Sequence, residues 1–178
     1  MGIFDVDSHE LIKEVATDFK KKIVQPQWAI WVKSGQHTER APQNPDWWFE
    51  RAASILYRVY KEGPLGTESL RTYYGGRKNR GVKPQQRRKS GGKIIRVCLQ
   101  QLEKEGLIKK GKKGRIITGK GQSYLNSMSK AVAKGEGMAQ KVQKEKVQHS
   151  AEVTHAREAL RAQEQRHKAQ EKQKEEKK

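Results

Sequence analysis

Residues 91–118 read Gly91-Gly92-Lys93-Ile94-Ile95-Arg96-Val97-Cys98-Leu99-Gln100-Gln101-Leu102-Glu103-Lys104-Glu105-Gly106-Leu107-Ile108-Lys109-Lys110-Gly111-Lys112-Lys113-Gly114-Arg115-Ile116-Ile117-Thr118. Ile95, Cys98 or Leu99, and Leu102 recur at helical spacing, while Lys93, Arg96 and Gln100 fall on the opposite side. The pattern predicts a helix over 91–105. Gly106 suits the left-handed position past a helix end, which sets Leu107 where it touches Leu102 across the cap. Leu107-Ile108 and Ile116-Ile117 are short β-like pieces, joined by the cationic tip Gly111-Lys112-Lys113-Gly114. A hairpin is therefore expected over 107–118. A shorter helix ahead of this stretch, over 67–74, has Thr67 as its cap, Leu70 and Tyr73 or Tyr74 on its buried side and Gly75-Gly76 as its stop. Helix, helix and β-wing in that order form the skeleton of a winged helix, whose second helix is the one that meets nucleic acid.

Outward from this unit the chain stays mainly helical. Leu11, Val15, Phe19 and Ile23, with Ile12 and Ala16, predict an amphipathic helix over 8–23. Asp7 and Glu10 offer a capping-box start, and Lys20, Lys21 and Lys22 suit the negative end of the helix dipole. Residues 25–45 are broken by Pro26, Gly35, Pro42 and Pro45, and the alternation of Trp28, Ile30 and Val32 suggests a short extended piece. A helix over 45–62 is expected, with Asn44 as N-cap and Pro45 as its first residue, ended by Gly63-Pro64. Its buried stripe is Trp48, Ala52, Ile55 and Val59, and one of the adjacent Trp47 and Trp48 should face outward. Residues 76–90 read as a basic loop. Residues 119–133 return to helix, with Gly121, Leu125, Met128 and Val132 on one side. Residues 134–178 hold no Trp, Phe or Tyr and cannot bury enough apolar area to offset their ordering entropy. Two regions follow: a folded domain over 1–133, and a charged extension over 134–178 that is disordered or loosely helical.

Charge separates the chain more sharply than hydropathy does. Residues 1–70 hold 9 Lys+Arg against 10 acids, and residues 134–178 hold 12 against 8. Residues 71–133 hold 18 against two, Glu103 and Glu105, a net of +16 out of +19 for the whole chain. Such a field repels itself and is tolerated where a polyanion neutralises it. Nucleic acid is the partner this implies. The stretch 71–93 alone carries Arg71, Arg77, Lys78, Arg80, Lys83, Arg87, Arg88, Lys89 and Lys93 with no acid. Arg bonds phosphate through two parallel N–H groups and stacks on bases. Arg96 on the outward helix face, and Lys112, Lys113 and Arg115 in the wing, extend the candidate RNA-binding set.

Other chemistries find little support. The lone Cys98 forms no disulfide framework, suits a reducing compartment and reads as a small core residue. The five histidines have no metal spacing. No nucleophile-base set or carboxylate pair stands out, so no enzyme, metal or cofactor is expected, nor a small-molecule substrate. Gly114 to Lys120 has the Gly-x-x-x-x-Gly-Lys spacing of a phosphate loop but lacks the following Ser/Thr and a launching strand. The four tryptophans fit a core better than base-stacking platforms. No signal peptide or apolar run of bilayer length is visible, so a cytoplasmic location away from membrane is expected.

Four segments carry a family resemblance: Trp48-Phe49-Glu50-Arg51-Ala52-Ala53-Ser54, Tyr74-Gly75-Gly76-Arg77, Gly81-Val82-Lys83-Pro84 and Leu99-Gln100-Gln101-Leu102-Glu103. In this order and spacing they resemble the small-subunit ribosomal protein family of the nineteen-e type, over about residues 4–132. The loop regions differ from those of eukaryotic members and point to an archaeal chain. The resemblance implies a helical body around a winged helix, bound to ribosomal RNA in the head of the small subunit beside neighbouring ribosomal proteins, with a part in assembly and rRNA maturation. It adds Arg51 to the RNA-binding candidates and singles out Ser54, Arg77 and Arg96. The rival is a winged-helix DNA-binding regulator or chromatin protein. Such a protein usually pairs two reading helices through a dimer interface, and no dimerisation helix is evident here.

Overall fold

A computed structural model describes residues 2–135. At its N-terminal end the Asp7 carboxylate accepts the His9 N–H at 3.3 Å and starts helix α1, Ser8–Lys22. Among the described residues only this half of the predicted capping box forms. Leu11, Val15, Ala16 and Phe19 are buried against α2, Trp47–Glu62, whose Trp48, Ala52, Ala53, Ile55, Leu56 and Val59 form the facing stripe.

The entry to α2 departs from expectation in three ways. The extended piece expected around Trp28 to Val32 is a 3-10 turn, Gln27–Ile30, in which Ala29 and Trp31 donate to the carbonyls of Pro26 and Trp28. Three alternating residues are too short a pattern to tell extended chain from a three-residue turn. Packing decides it, since the turn lays the Trp28 ring edge-on to Trp48 at 5.5 Å between centroids. Second, α2 begins two residues later than predicted. The Asn44 side chain accepts the Asp46 N–H at 3.0 Å, closing an Asx turn that holds Pro45 ahead of the helix. Third, both Trp47 and Trp48 are buried, at 7% and 0% exposure. Their rings meet edge to face at 5.6 Å, and Trp48 Nε1 donates to Gln101 Oε1 at 3.1 Å. Two adjacent indoles thus share one side of the first turn.

The winged-helix unit matches the sequence closely. Helix α3, Thr67–Tyr73, has Gly66 rather than Thr67 at its N-cap, so Thr67 lies inside the first turn with its hydroxyl free to serve the wing. Tyr74 follows α3 and packs inward, whereas Tyr73 is exposed. Beyond Tyr74, residues 76–90 are a β-hairpin and not the expected loop: β1, Gly76–Arg80, pairs antiparallel with β2, Lys83–Arg88. Helix α4, Gly92–Lys104, buries Ile94, Ile95, Cys98, Leu99 and Leu102. Burial pushes the Cys98 thiol up to about 12, as suits an inert core residue. The α4 end closes on Gly106 at φ 70°, with Leu107 N–H bonded to the Leu102 carbonyl at 3.1 Å and Gly106 N–H to that of Glu103 at 3.0 Å. Leu102 and Leu107 are both buried there.

The wing is β3, Ile108–Gly111, paired with β4, Gly114–Ile117, in the register Ile108↔Ile117 to Gly111↔Gly114. Leu65 forms a separate antiparallel bridge to β4, exchanging both backbone hydrogen bonds with Arg115. A last helix, α5, covers residues 119–135. Gly121 is buried at its start, where a Cβ would stand 2.3 Å from the Leu107 carbonyl oxygen, so only glycine allows this approach to the wing. Leu125 is buried as expected, and Tyr124 donates to the Asp18 carboxylate at 2.6 Å, tying α5 to α1. The expectation of a disordered or loosely helical extension covers residues 134–178; Lys134 and Gly135 end α5, and the rest lies outside the described residues.

Candidate nucleic-acid interface

Three elements carry the predicted cations, and their surroundings differ. On the β1–β2 hairpin, Arg77 stands opposite Arg87 and Arg80 opposite Lys83. Arg77 and Arg87 share one face of the ribbon, while Lys78 and Arg88 share the other. All of β2 is exposed. Like charges directly opposite destabilise a ladder, and a two-stranded ribbon with no apolar face is marginal in water. Few internal contacts offset this: Arg87 donates to the Thr72 carbonyl at 3.2 Å and Arg88 to Gln86 at 3.0 Å. A bound polyanion would neutralise both faces.

The base of the hairpin is pinned to the body. Arg71 donates through Nε to the Ser90 carbonyl at 3.1 Å and pairs with Glu68, which also takes Lys89 Nζ at 2.9 Å. Lys89 first and Arg71 second hold the Glu68 carboxyl below its usual range. Gly91 N–H reaches the Ser34 carbonyl at 2.9 Å, and Gly35 bridges Ser90. Arg71 and Lys89 are thus tied at the root of the ribbon; Arg77, Lys83, Arg87 and Arg88 are exposed on it, and Lys78 and Arg80 are half-buried.

On α4, Lys93 and Arg96 are exposed on the outward face, as the helical period requires. The Lys93 ammonium lies over the Trp28 ring, 4.7 Å from its centroid. At the wing tip Lys112 and Lys113 are exposed. Arg115 is different: its Nε pairs with Glu103 at 2.9 Å, its Nη1 donates to Thr67 Oγ1 at 3.3 Å, and its side chain is only 19% exposed. It fastens wing to helices.

Arg51 lies apart from these cations. Its guanidinium stacks over the Tyr74 ring at 4.1 Å, and the Tyr74 hydroxyl bonds Ser54 at 2.7 Å. Burial holds the Arg51 guanidinium below its ordinary value, though arginine stays charged. It lines a pocket of about 620 Å³ with Lys13, Arg40, Trp47, Glu50 and Ser54. Lys109 and Lys110, exposed on β3, extend the wing's cationic surface and were not among the predicted residues. Their position in the sequence directly before the cationic tip was the available signal.

Among the described residues there is no cluster of three or more His, Cys, Asp or Glu side chains able to hold a metal, and no helix long and apolar enough to cross a membrane. The exposed cations of the hairpin, the outward face of α4 and the wing tip give these elements a strongly positive surface. A small winged helix with a second cationic hairpin is thus the class of protein defined by fold and site. Comparison with known proteins narrows it: the chain belongs to the ribosomal protein S19e family, which it matches over residues 2–135. It is 45% identical over 137 residues to the small ribosomal subunit protein eS19 of Aeropyrum pernix, covering 74% of this chain and 90% of that protein. Similarity extends to eukaryotes. It is 39% identical to small ribosomal subunit protein eS19G of Ascaris suum, over 72% of this chain and 89% of that one. It is 36% identical to eS19B of Schizosaccharomyces pombe, over 76% and 97%. The family is one of ribosomal proteins and not of enzymes.

Proposed function

We propose that this chain is a structural constituent of the small ribosomal subunit, bound to ribosomal RNA in the subunit head and supporting subunit assembly and rRNA maturation in the cytoplasm. Neighbouring small-subunit proteins are its other partners. Residues 1–133 carry this role, with 134–178 as a charged extension. The observation that supports it most is the surface formed by the β1–β2 hairpin, the outward face of α4 and the wing tip, in a family of ribosomal proteins. RNA helices are recognised largely through shape and backbone, because the deep, narrow major groove hides the base edges. A broad array of Arg and Lys without catalytic groups suits that task. Within the array, Arg77, Lys78, Arg80, Lys83, Arg87, Arg88, Lys93, Arg96, Lys112 and Lys113 contact phosphate, while Arg71, Lys89 and Arg115 position them. Arg51 acts at its own pocket.

The test replaces Arg77, Arg87, Arg88 and Arg96 together by Gln. The variant is expected to keep its circular dichroism and to lose affinity for small-subunit rRNA. Its log-log salt slope should shrink by about one unit for each phosphate contact removed. Parental affinity and slope in the folded variant would place RNA elsewhere, and exclusive recovery of the parent on chromatin would favour the DNA-binding alternative.

A further inference from the structure

Trp31 is 83% exposed, and Ile30 beside it is 62% exposed. Large apolar side chains gathered at one exposed place mark a contact surface more often than an accident of folding. Trp31 follows directly on the 3-10 turn, and its N–H bonds the Trp28 carbonyl at 3.3 Å. In such a turn residues three apart eclipse one another, so Trp28 and Trp31 lie along one edge. The two indoles have different fates. Trp28 is half buried, edge-on to Trp48 and capped by the Lys93 ammonium of α4. Trp31 continues the same edge outward. Lys93 over the Trp28 ring sets this edge beside the first turn of α4, and Trp31 is the next side chain along it.

The charge around this edge decides what it binds. From Phe19 to Thr38 the chain carries four lysines and no acid; Lys20 and Lys22 pair with Asp46 and Asp18, which leaves Lys21 and Lys33 unpaired among the described residues. The neighbouring helix has no acid in its first turn and exposes Lys93 and Arg96. A protein partner of ordinary mixed charge would find no complement here. A nucleic acid offers both halves of one: phosphates for the cations, and a flat base for the indole. We propose that Trp31 is a stacking platform for an unpaired RNA base, whose flanking phosphates are held by Lys93 and Arg96. This rests on the RNA-binding role above and adds to it a preference for single-stranded or bulged RNA, because a base within a duplex cannot reach an indole face.

The full chain is titrated with an eight-nucleotide single-stranded RNA and with a blunt RNA duplex of equal charge. Trp31→Ala should weaken the single strand about 5- to 150-fold, the range expected of one base-aromatic stack. It should leave the duplex affinity, the salt slope and the melting temperature unchanged, since it removes neither a phosphate contact nor a core side chain. Trp31→Phe should restore most of the loss, and the parent should show tryptophan quenching by the single strand that Trp31→Phe lacks. Equal affinity of Trp31→Ala and parent for the single strand would overturn the platform while leaving the RNA-binding role intact. So would an equal loss on both RNAs. Failure of the parent to bind either RNA would overturn the role itself. Retention of an acidic protein by the parent but not by Trp31→Ala, with RNA binding unaffected, would reassign the patch to protein.

Discussion

Arg115 and Arg96 carry the same charge in opposite surroundings. The Arg115 guanidinium bonds Glu103 and Thr67 and is mostly covered, so removing it leaves a carboxylate and a hydroxyl short of a partner. Arg96 is exposed and has no partner among the described residues. Arg115→Gln should therefore lower stability by about 1–2 kcal/mol, between the worth of an exposed pair and that of a buried charged hydrogen bond. Arg96→Gln should stay within about 0.5 kcal/mol of the parent. Urea denaturation of the two variants side by side is the check, and equal losses would mean the wing is not held at Glu103. The outward position of Arg96 could be read from the 3.6-residue period of α4. The inward role of Arg115 could not, because twelve residues and a turn separate it from Glu103 in sequence. Trp47 was hidden for a related reason: a helix period assigns one side of a cylinder, whereas its burial depends on Trp48 beside it.

The β1–β2 hairpin is an element without a core. No residue of β2 is buried, Pro84 lies in the strand, and the ladder sets Arg77 against Arg87. Its turn requires Gly81 at φ 68°, and the Asn79 side chain accepts the Gly81 N–H at 3.1 Å. A glycine at the first place of a two-residue turn matches the right-handed twist of the strands. Gly81→Val forces a β-branched residue into that backbone at a cost of about 1–2 kcal/mol or more, which a marginal ribbon cannot absorb. The amides of residues 76–88 should lose protection from hydrogen exchange, rRNA affinity should fall, and the melting temperature should hold because no buried side chain is disturbed. A melting temperature that drops as far as for a core substitution would show that the ribbon packs on the body. The same lack of a core explains why this element looked like a loop. Strand signals are apolar alternation and β-branched residues, and residues 76–88 offer only Val82, which lies in the turn. Helix α4 and the wing were legible because each places apolar residues at its own period around a glycine stop.

At the scale of the whole molecule, folding gathers like charge. Residues 71–133 carry a net of +16, and their acids are few. Of the six ion pairs among the described residues only three, Arg71 and Lys89 on Glu68 and Arg115 on Glu103, offset some of this; they are partly exposed, and such pairs contribute about 0–1 kcal/mol each. Unfolding spreads the excess cations apart, so repulsion works against the native state of the free protein. Salt screens it: the Debye length falls from about 10 Å at 0.1 M to about 3 Å at 1 M. The same salt weakens the weak pairs, yet eighteen cations against two acids leave more repulsion than attraction to screen. The melting temperature of the free protein should therefore rise between 0.1 and 1 M KCl. Over the same range its affinity for rRNA should fall steeply as counterion release loses its force. The variant with Gln at positions 77, 87, 88 and 96 should begin with a higher melting temperature and gain less from salt, since part of the repulsion is already gone. Calorimetry of both proteins across the salt series, beside RNA titrations in the same buffers, tests the pair of trends. A parent that loses thermal stability with added salt would mean that ion pairing outweighs repulsion. The cationic surface would then be stabilising in the free protein, and it would no longer argue for a polyanionic partner.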